Sequence, residues 1–309
     1  MNASIAVVFL AVPALFAAAP QSAVVIVPVA DVWSRPLAVG EKPTDDLRET
    51  QVLFGEKVLI HESSGPWVRI EAVEQPTFRQ HQQWEGYPGW VLQTTVGQAR
   101  RHPNWLLSKK RWEYDLDSGK ELPIGARTFI AMAALGYSRP PGSGGILETA
   151  DLLVGIPYLW GGLTPGNPPS SAAVTPAEAG VQKNGLGSGF RRNDDIKYGI
   201  DCSGLVHLSY RVNGLTIPRD AHEQWMTARP IKRAELKPAD LIFSAKADNP
   251  KKITHVALYA GDGMIIEAPQ AGMVVRTISF KEKYGMALQE VESGDRVGNR
   301  VIYFGSFLR

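Results

Sequence analysis

From Val24 to Leu92 the apolar residues come in short runs, each cut off by glycine, proline or another turn former, and this restricts the segment to strands. Val24-Val-Ile-Val opens the series, Gln51-Val-Leu-Phe precedes Gly55-Glu56, and Lys57-Val-Leu-Ile follows. Ser63-Ser-Gly-Pro turns the chain into Trp67-Val-Arg-Ile-Glu, whose alternation suits a strand with one buried face, and Gly86-Tyr-Pro-Gly-Trp-Val closes the set. Strands of four to six residues with turns this frequent predict a small β-barrel over 23–100.

A chain of 309 residues exceeds one average domain, so further units are expected. Trp112-Glu-Tyr and Gly125-Ala-Arg-Thr-Phe-Ile read as strands around a Ser118-Gly119 turn, a possible second, degenerate barrel within 101–140. The stretch from Ser138 to Gly145, rich in Pro and Gly, reads as a linker. A last unit, 146–309, opens with a helical spacing over Leu147–Val154 that stops at Gly155. The segment 163–198 is dominated by Gly, Pro, Ser, Ala and Asn without an apolar period, and predicts a mobile insertion close to the site. At the other end, the apolar run from Ile5 to Ala19 predicts a signal peptide over 1–22, and with it an exported, periplasmic or wall-associated protein. Without such a leader the location would be cytoplasmic. No later segment reaches membrane-spanning length.

With 44% hydrophobic and 21% charged residues the composition is that of a folded globular chain. A net charge of +2 and no long Lys/Arg run argue against nucleic acid as a partner. No His/Cys/Asp cluster has metal-ligand spacing and no Gly-rich loop has a phosphate-binding pattern, so neither metal nor cofactor is expected. The single cysteine excludes an internal disulfide and is either buried filler or a reactive thiol. Oligomeric state has no signature in the sequence.

The surroundings of that cysteine favour reactivity. Asp201-Cys-Ser-Gly-Leu-Val-His-Leu-Ser-Tyr-Arg runs to an Asn213-Gly214 stop, with Asp201 as N-cap and Cys202 in the first helical turn. Unpaired N–H groups and the positive dipole end there favour thiolate, the nucleophilic form. His207, one turn along, reads as packed or exposed rather than catalytic. Ile253-Thr-His-Val-Ala-Leu-Tyr alternates as a strand, Ala260-Gly-Asp-Gly turns, and Met264-Ile-Ile-Glu-Ala returns. A three-residue loop at 260–262 would pair 259 with 263 and set His255 directly opposite Glu267, within reach of its carboxylate.

Tyr158-Leu-Trp-Gly-Gly, Gly199-Ile-Asp-Cys-Ser-Gly-Leu, Leu236-Lys-Pro-Ala-Asp-Leu-Ile-Phe and His255-Val-Ala-Leu-Tyr, in this order, resemble the NlpC/p60-type cell-wall cysteine peptidases. The resemblance covers 146–309 and implies an α+β fold, a papain-like catalytic domain with the cysteine helix packed on an antiparallel sheet. It implies Cys202 as nucleophile, His255 as general base and then acid, and Glu267 in the orienting position, where the family often carries His and sometimes Asn or Gln, so the carboxylate is a departure. Leu53-Phe-Gly-Glu, Trp67-Val and Gly89-Trp-Val resemble the bacterial SH3-like domains that precede such enzymes. The subgroup with those domains cleaves stem peptides carrying a free N-terminal L-alanine. By that likeness Asp201, Ser203, Asp220, Tyr87 and Glu49 bind substrate, the carboxylates rewarding an ammonium group.

The function expected is hydrolysis of the γ-D-glutamyl to L-diamino acid bond of peptidoglycan-derived peptides. Two other functions use the same residues differently. One is an amidase or acyltransferase on another acyl substrate; the other is an inactive cell-wall binding protein.

Overall fold

The computed structural model describes residues 19–78, 82–98, 105–115, 118–129, 142–168 and 197–308. The expected leader lies almost wholly outside the described residues, as does the core of the 163–198 insertion, of which only 163–168 and 197–198 are described.

The N-terminal runs form the strands their alternation predicts. These are β1 (Gln21–Val25), β2 (Val29–Trp33), β3 (Arg48–Leu53), β4 (Lys57–Ser64), β5 (Trp67–Thr77), β6 (Glu85–Leu92) and β7 (Val96–Gly97). They make one antiparallel sheet in the order β3-β2-β6-β5-β4-β1-β7. Along β5 the alternation is realised: Val68, Ile70 and Ala72 point into an apolar core while Arg69 and Glu71 stay half-buried. The sheet turns a corner where β2 meets β6 through the single pair Trp33↔Trp90. A Cβ at Gly89 would stand 2.4 Å from Val32 Cγ1, so only glycine admits that crossing. The recorded pairing leaves β3 and β7 as end strands, so no closed barrel is seen among the described residues.

Four short strands follow: β8 (Trp105–Leu107), β9 (Trp112–Asp115), β10 (Lys120–Pro123) and β11 (Arg127–Phe129). The Ser118-Gly119 turn joins β9 to β10, while β11, within the Gly125–Ile130 run, pairs with β8 instead. Helix α1 (Ser143–Asp151) begins inside the stretch read as linker, four residues ahead of the apolar spacing that predicted it from Leu147. The Gly145 carbonyl accepts from Asn213 Nδ2 at 3.0 Å, so a tertiary contact draws this glycine-rich turn into the helix.

Helix α2 (Cys202–Val212), helix α3 (Ala221–Thr227) and a second antiparallel sheet complete the chain. Its strands are β12 (Arg229–Pro230), β13 (Leu241–Lys246), β14 (Asn249–Gly261), β15 (Met264–Glu267), β16 (Arg276–Ser279), β17 (Arg296–Val297) and β18 (Arg300–Ser306); the short helix α4 (Phe280–Tyr284) follows β16. The order is β12-β18-β13-β14-β15-β16, with β17 against β18. One sheet face packs Leu241, Phe243, Val256 and Leu258 against Leu205 and Leu208 of α2. The opposite face packs Ile242, Ala257 and Ile265 against Phe280 and Phe304. Every residue of α2 is buried, so the cysteine helix is a central element of the core.

Buried charge ties the two sheets together. Arg211 on α2 reaches Glu56 and Glu74 of the N-terminal sheet, each at 3.1 Å. Arg219, fully buried, donates to Thr50 Oγ1 at 2.9 Å. Removing one partner from such a pair leaves a buried charge uncompensated, which costs about 3–5 kcal/mol. The N-terminal sheet is therefore fixed against the α2 end of the second unit.

Candidate active site

Asp201 caps α2, accepting from Gly204 N at 2.6 Å, and puts Cys202 in the first turn as its sequence position predicts. The thiolate expected there is not the favoured form. Burial pushes the Cys202 thiol up to about 12 and the Asp201 carboxylate adds to the rise, outweighing the backbone N–H groups of Val256 and Ser203 and the Arg219 charge. A helix end supplies only about half an elementary charge, which does not repay removal of a sulfur anion from water. The resting group is a thiol, so attack requires a base.

His255 Nε2 stands 2.7 Å from Glu267 Oε2. The register differs from the expected one: Leu258 pairs with Ile266, Tyr259 with Ile265 and Gly261 with Met264. The hairpin turns through Asp262 (φ 50°) and Gly263 (φ 73°), an Asp-Gly pair with both φ positive, and a bulge absorbs Ala260. His255 and Glu267 are therefore diagonal rather than directly opposite. Because the shift is two residues, the side chains stay on one face and still meet.

Glu267 is fully buried and gathers three cationic or donor groups. Arg276, its cross-strand partner on β16, donates to Oε1 from Nη2 at 2.9 Å and Nε at 3.2 Å. Lys283 on α4 contacts Oε2, and its Nζ is also 3.0 Å from His255 Nε2. Burial opposes the carboxylate's charge, but His255 and Lys283 outweigh it and hold Glu267 down at about 2. Burial lowers the His255 pKa, with Lys283 acting the same way against the hydrogen bond to Glu267. A carboxylate only accepts, so Nε2–H of the neutral ring donates to Glu267 and Nδ1 keeps the lone pair that can take a proton. Neither Lys283 nor Arg276 emerged from the sequence. The capping box Ser279–Glu282, which starts the turn carrying Lys283, was a readable signal for that helix.

The residues assigned to substrate binding gather on the far side of Cys202 from His255, around Arg219 at the N-terminal end of α2. Its Nη1 and Nη2 fork onto the two Asp201 oxygens, each at 2.9 Å, and Nη1 also reaches Ser203 Oγ at 3.1 Å. Gly161 N, Gly204 N and Ser203 Oγ donate to the same carboxylate, so Asp201 accepts five hydrogen bonds. That is a structural load beyond the capping expected of it. Tyr87, buried in the N-terminal sheet, points its hydroxyl at Asp220 Oδ2 (3.2 Å) and Glu49 Oε2 (3.4 Å). All five expected binding residues thus come together, with Arg219 the central member missed by sequence reading; it sits inside the Pro218-Arg-Asp motif itself. His207 is buried instead, its ring Nδ1 2.9 Å from the Ile217 carbonyl, and burial pulls it down to about 3.

On the His255 side a cavity of ≈ 540 Å³ opens, lined by His255, Tyr158, Lys246, Arg276, Lys283 and Arg300 among others. Among the described residues no group of three His, Cys, Asp or Glu is placed to hold a metal ion, and no helix is long and apolar enough to cross a membrane. A buried thiol, an imidazole oriented by a carboxylate and an adjoining polar cavity are groups that acyl transfer through a thioester can use.

Residues 155–289 match the model of the NlpC/P60 family. A gamma-D-glutamyl-L-lysine dipeptidyl-peptidase of Bacillus subtilis (strain 168) is 28% identical over 266 residues, covering 77% of this chain and 78% of its own. A protein of the same name from Bacillus cereus (strain ATCC 10987 / NRS 248) is 27% identical over 286 residues, covering 80% and 75%. The crystal structure of an NlpC/P60 family protein from Bacillus cereus ATCC 10987 aligns with a TM-score of 0.66 at 21% identity, covering 94% of this chain and 100% of that one. The last match establishes a shared fold across nearly the whole length.

Proposed function

Since this chain carries an NlpC/P60 domain and is a hydrolase of peptidoglycan peptides, we propose that it cuts the γ-D-glutamyl to L-diamino acid bond of stem peptides bearing a free N-terminal L-alanine. The observation that carries this reading is Tyr87 set between Glu49 and Asp220. A phenol has one proton and donates to one carboxylate at a time, whereas a substrate ammonium, with three N–H donors, would reach both carboxylates at once and offset one of their two charges. The relatives named for γ-D-glutamyl cleavage support the choice of bond. Residues 23–100 are read as the SH3-like module that lends Glu49 and Tyr87 to the cleft. A peptidoglycan substrate fits an exported, periplasmic or wall-associated site of action.

In this mechanism the N-terminal ammonium docks at Glu49, Tyr87 and Asp220, and the γ-glutamyl carbonyl lies over Cys202. His255 Nδ1 takes the thiol proton as sulfur attacks, and the backbone N–H of Cys202 faces the developing oxyanion. The tetrahedral adduct collapses as the imidazolium, held by Glu267, gives its proton to the leaving amine. Water, deprotonated by the same imidazole, then hydrolyses the thioester and restores the thiol.

The test is turnover of L-Ala-γ-D-Glu-meso-diaminopimelate and its N-acetylated twin, followed by mass spectrometry with Cys202→Ala as control. Cleavage of the free-amine peptide alone, lost in the variant, is expected. Equal cleavage of both would remove the amine-binding role from Glu49, Tyr87 and Asp220, and no cleavage of either would turn the search to another acyl substrate.

A further inference from the structure

The ≈ 540 Å³ cavity beside His255 is lined by four cationic side chains, Lys246, Arg276, Lys283 and Arg300, and by no Asp or Glu. Arg276 and Lys283 answer to Glu267, which lies buried beneath them. The other two are different. Lys246 and Arg300 sit directly opposite each other on β13 and β18, a like-charge cross-strand pair that costs stability where nothing neutralises it. Among the described residues neither makes an ion pair. Arg300 is anchored by a 3.0 Å bond from Nη1 to Thr254 Oγ1, the residue next to His255, which holds the guanidinium at the cavity wall. One buried carboxylate against four cations leaves this wall with an excess of positive charge.

A fold that keeps two cations face to face beside its candidate base has a use for an anion there. Given the reaction proposed above, on which this inference rests, the place of that anion in the substrate follows from geometry. The ammonium end of the substrate is taken at Glu49, Tyr87 and Asp220, on the Arg219 side of Cys202. The leaving amine must come to the His255 ring for its proton. The amino acid released therefore enters the His255 cavity.

We propose that this cavity is the subsite for the leaving diamino acid, and that Lys246 and Arg300 select a side chain ending in a carboxylate over one ending only in an ammonium group. A lysine side chain would bring a fifth cation to the wall, whereas diaminopimelate brings a carboxylate with its distal ammonium. A guanidinium donates to both carboxylate oxygens from its fork, and the neighbouring ammonium supplies a further donor. This selection differs from the lysine in the names of the Bacillus relatives.

The experiment compares L-Ala-γ-D-Glu-meso-diaminopimelate with L-Ala-γ-D-Glu-L-Lys on the wild-type protein, Lys246→Gln, Arg300→Gln and the double variant. The wild type is expected to prefer the diaminopimelate peptide about tenfold or more in kcat/KM, the worth of one charge-assisted hydrogen bond. The double variant should bring the ratio near unity by raising KM for the diaminopimelate peptide while kcat holds. An equal rate on both peptides in the wild type, or a preference that survives the double substitution, overturns the assignment. If neither peptide is cut, the proposed reaction fails and the subsite is judged by calorimetric binding of meso-diaminopimelate itself. Binding weakened in the double variant then upholds the subsite, and no binding to the wild type overturns it. Thermal unfolding of the variants at or above the wild-type temperature, as expected on relieving a like-charge pair, separates loss of the subsite from loss of fold.

Discussion

Replacing Glu267 by Gln keeps the shape and an acceptor for His255 but removes the charge on which three neighbours converge. The carboxylate is held at about 2 against an ordinary 4.5, and it is fully buried, so little of the effect is screened away. At 1.36 kcal/mol per pH unit that difference is about 3 kcal/mol of folding stability at neutral pH. The sign follows from the depressed value: the contribution is complete above the unfolded pKa and is lost as pH falls towards the folded one. Between pH 5 and pH 3 the wild type should lose about 2 kcal/mol from this group alone, and E267Q should not. Urea unfolding at pH 7, 5 and 3 reads the effect: stability curves about 3 kcal/mol apart at pH 7 should converge on acidification. The same substitution leaves Lys283 and Arg276 without their anion and the imidazolium without its partner. A fall in kcat/KM of about 10²–10⁴ is expected, mostly in kcat. Parallel stability curves through the acidic range, or near wild-type turnover in E267Q, would refute the argument that this carboxylate is ionised, buried and coupled to His255.

Three further outcomes are expected. With the thiol pushed up to about 12, iodoacetamide should alkylate Cys202 at a rate that climbs steadily from pH 6 to pH 9, and a rate already level at neutral pH would mean a preformed thiolate. Arg219→Met strips the fork from Asp201 and should destabilise the protein by about 3–5 kcal/mol in urea, part of it regained on adding Asp201→Asn; a loss under 1 kcal/mol would show that water already shares that carboxylate. Tyr87→Phe removes the hydroxyl between Glu49 and Asp220 and should raise KM about tenfold for the free-amine peptide with kcat kept, whereas an unchanged KM would take Tyr87 out of amine binding.

Much of the site was legible because its signals are local. An Asp before a helical apolar spacing means a capped helix, and Asp201 caps α2 with Cys202 in its first turn. Alternation around His255 and Glu267 means two strands, and β14 and β15 are paired as hairpin strands. The one local misreading was the loop, because Asp262-Gly263 is itself the two-residue turn that an Asp-Gly pair favours. The expected contact survived since a two-residue shift preserves the face. The helix start at Ser143 lay beyond local reading, since Ser143, Gly144 and Gly145 are poor helix formers and the contact of Asn213 with the Gly145 carbonyl is a tertiary one.

Local signals along the chain specify the chemical parts and their order: one thiol at a helix start, one imidazole and one carboxylate on adjacent strands, short strands ahead of them. The tertiary structure decided what state those parts are in. Burial at the helix end turned an expected thiolate into a thiol, because desolvation depends on everything packed around the sulfur and not on its neighbours in the chain. Arg219 joined the Asp201 carboxylate to the N-terminal sheet by reaching Thr50, 169 positions away, and Glu267 acquired Lys283 and Arg276 from two other elements. Charge acts through space, and no spacing along the chain records which charges folding will bring within a few ångströms.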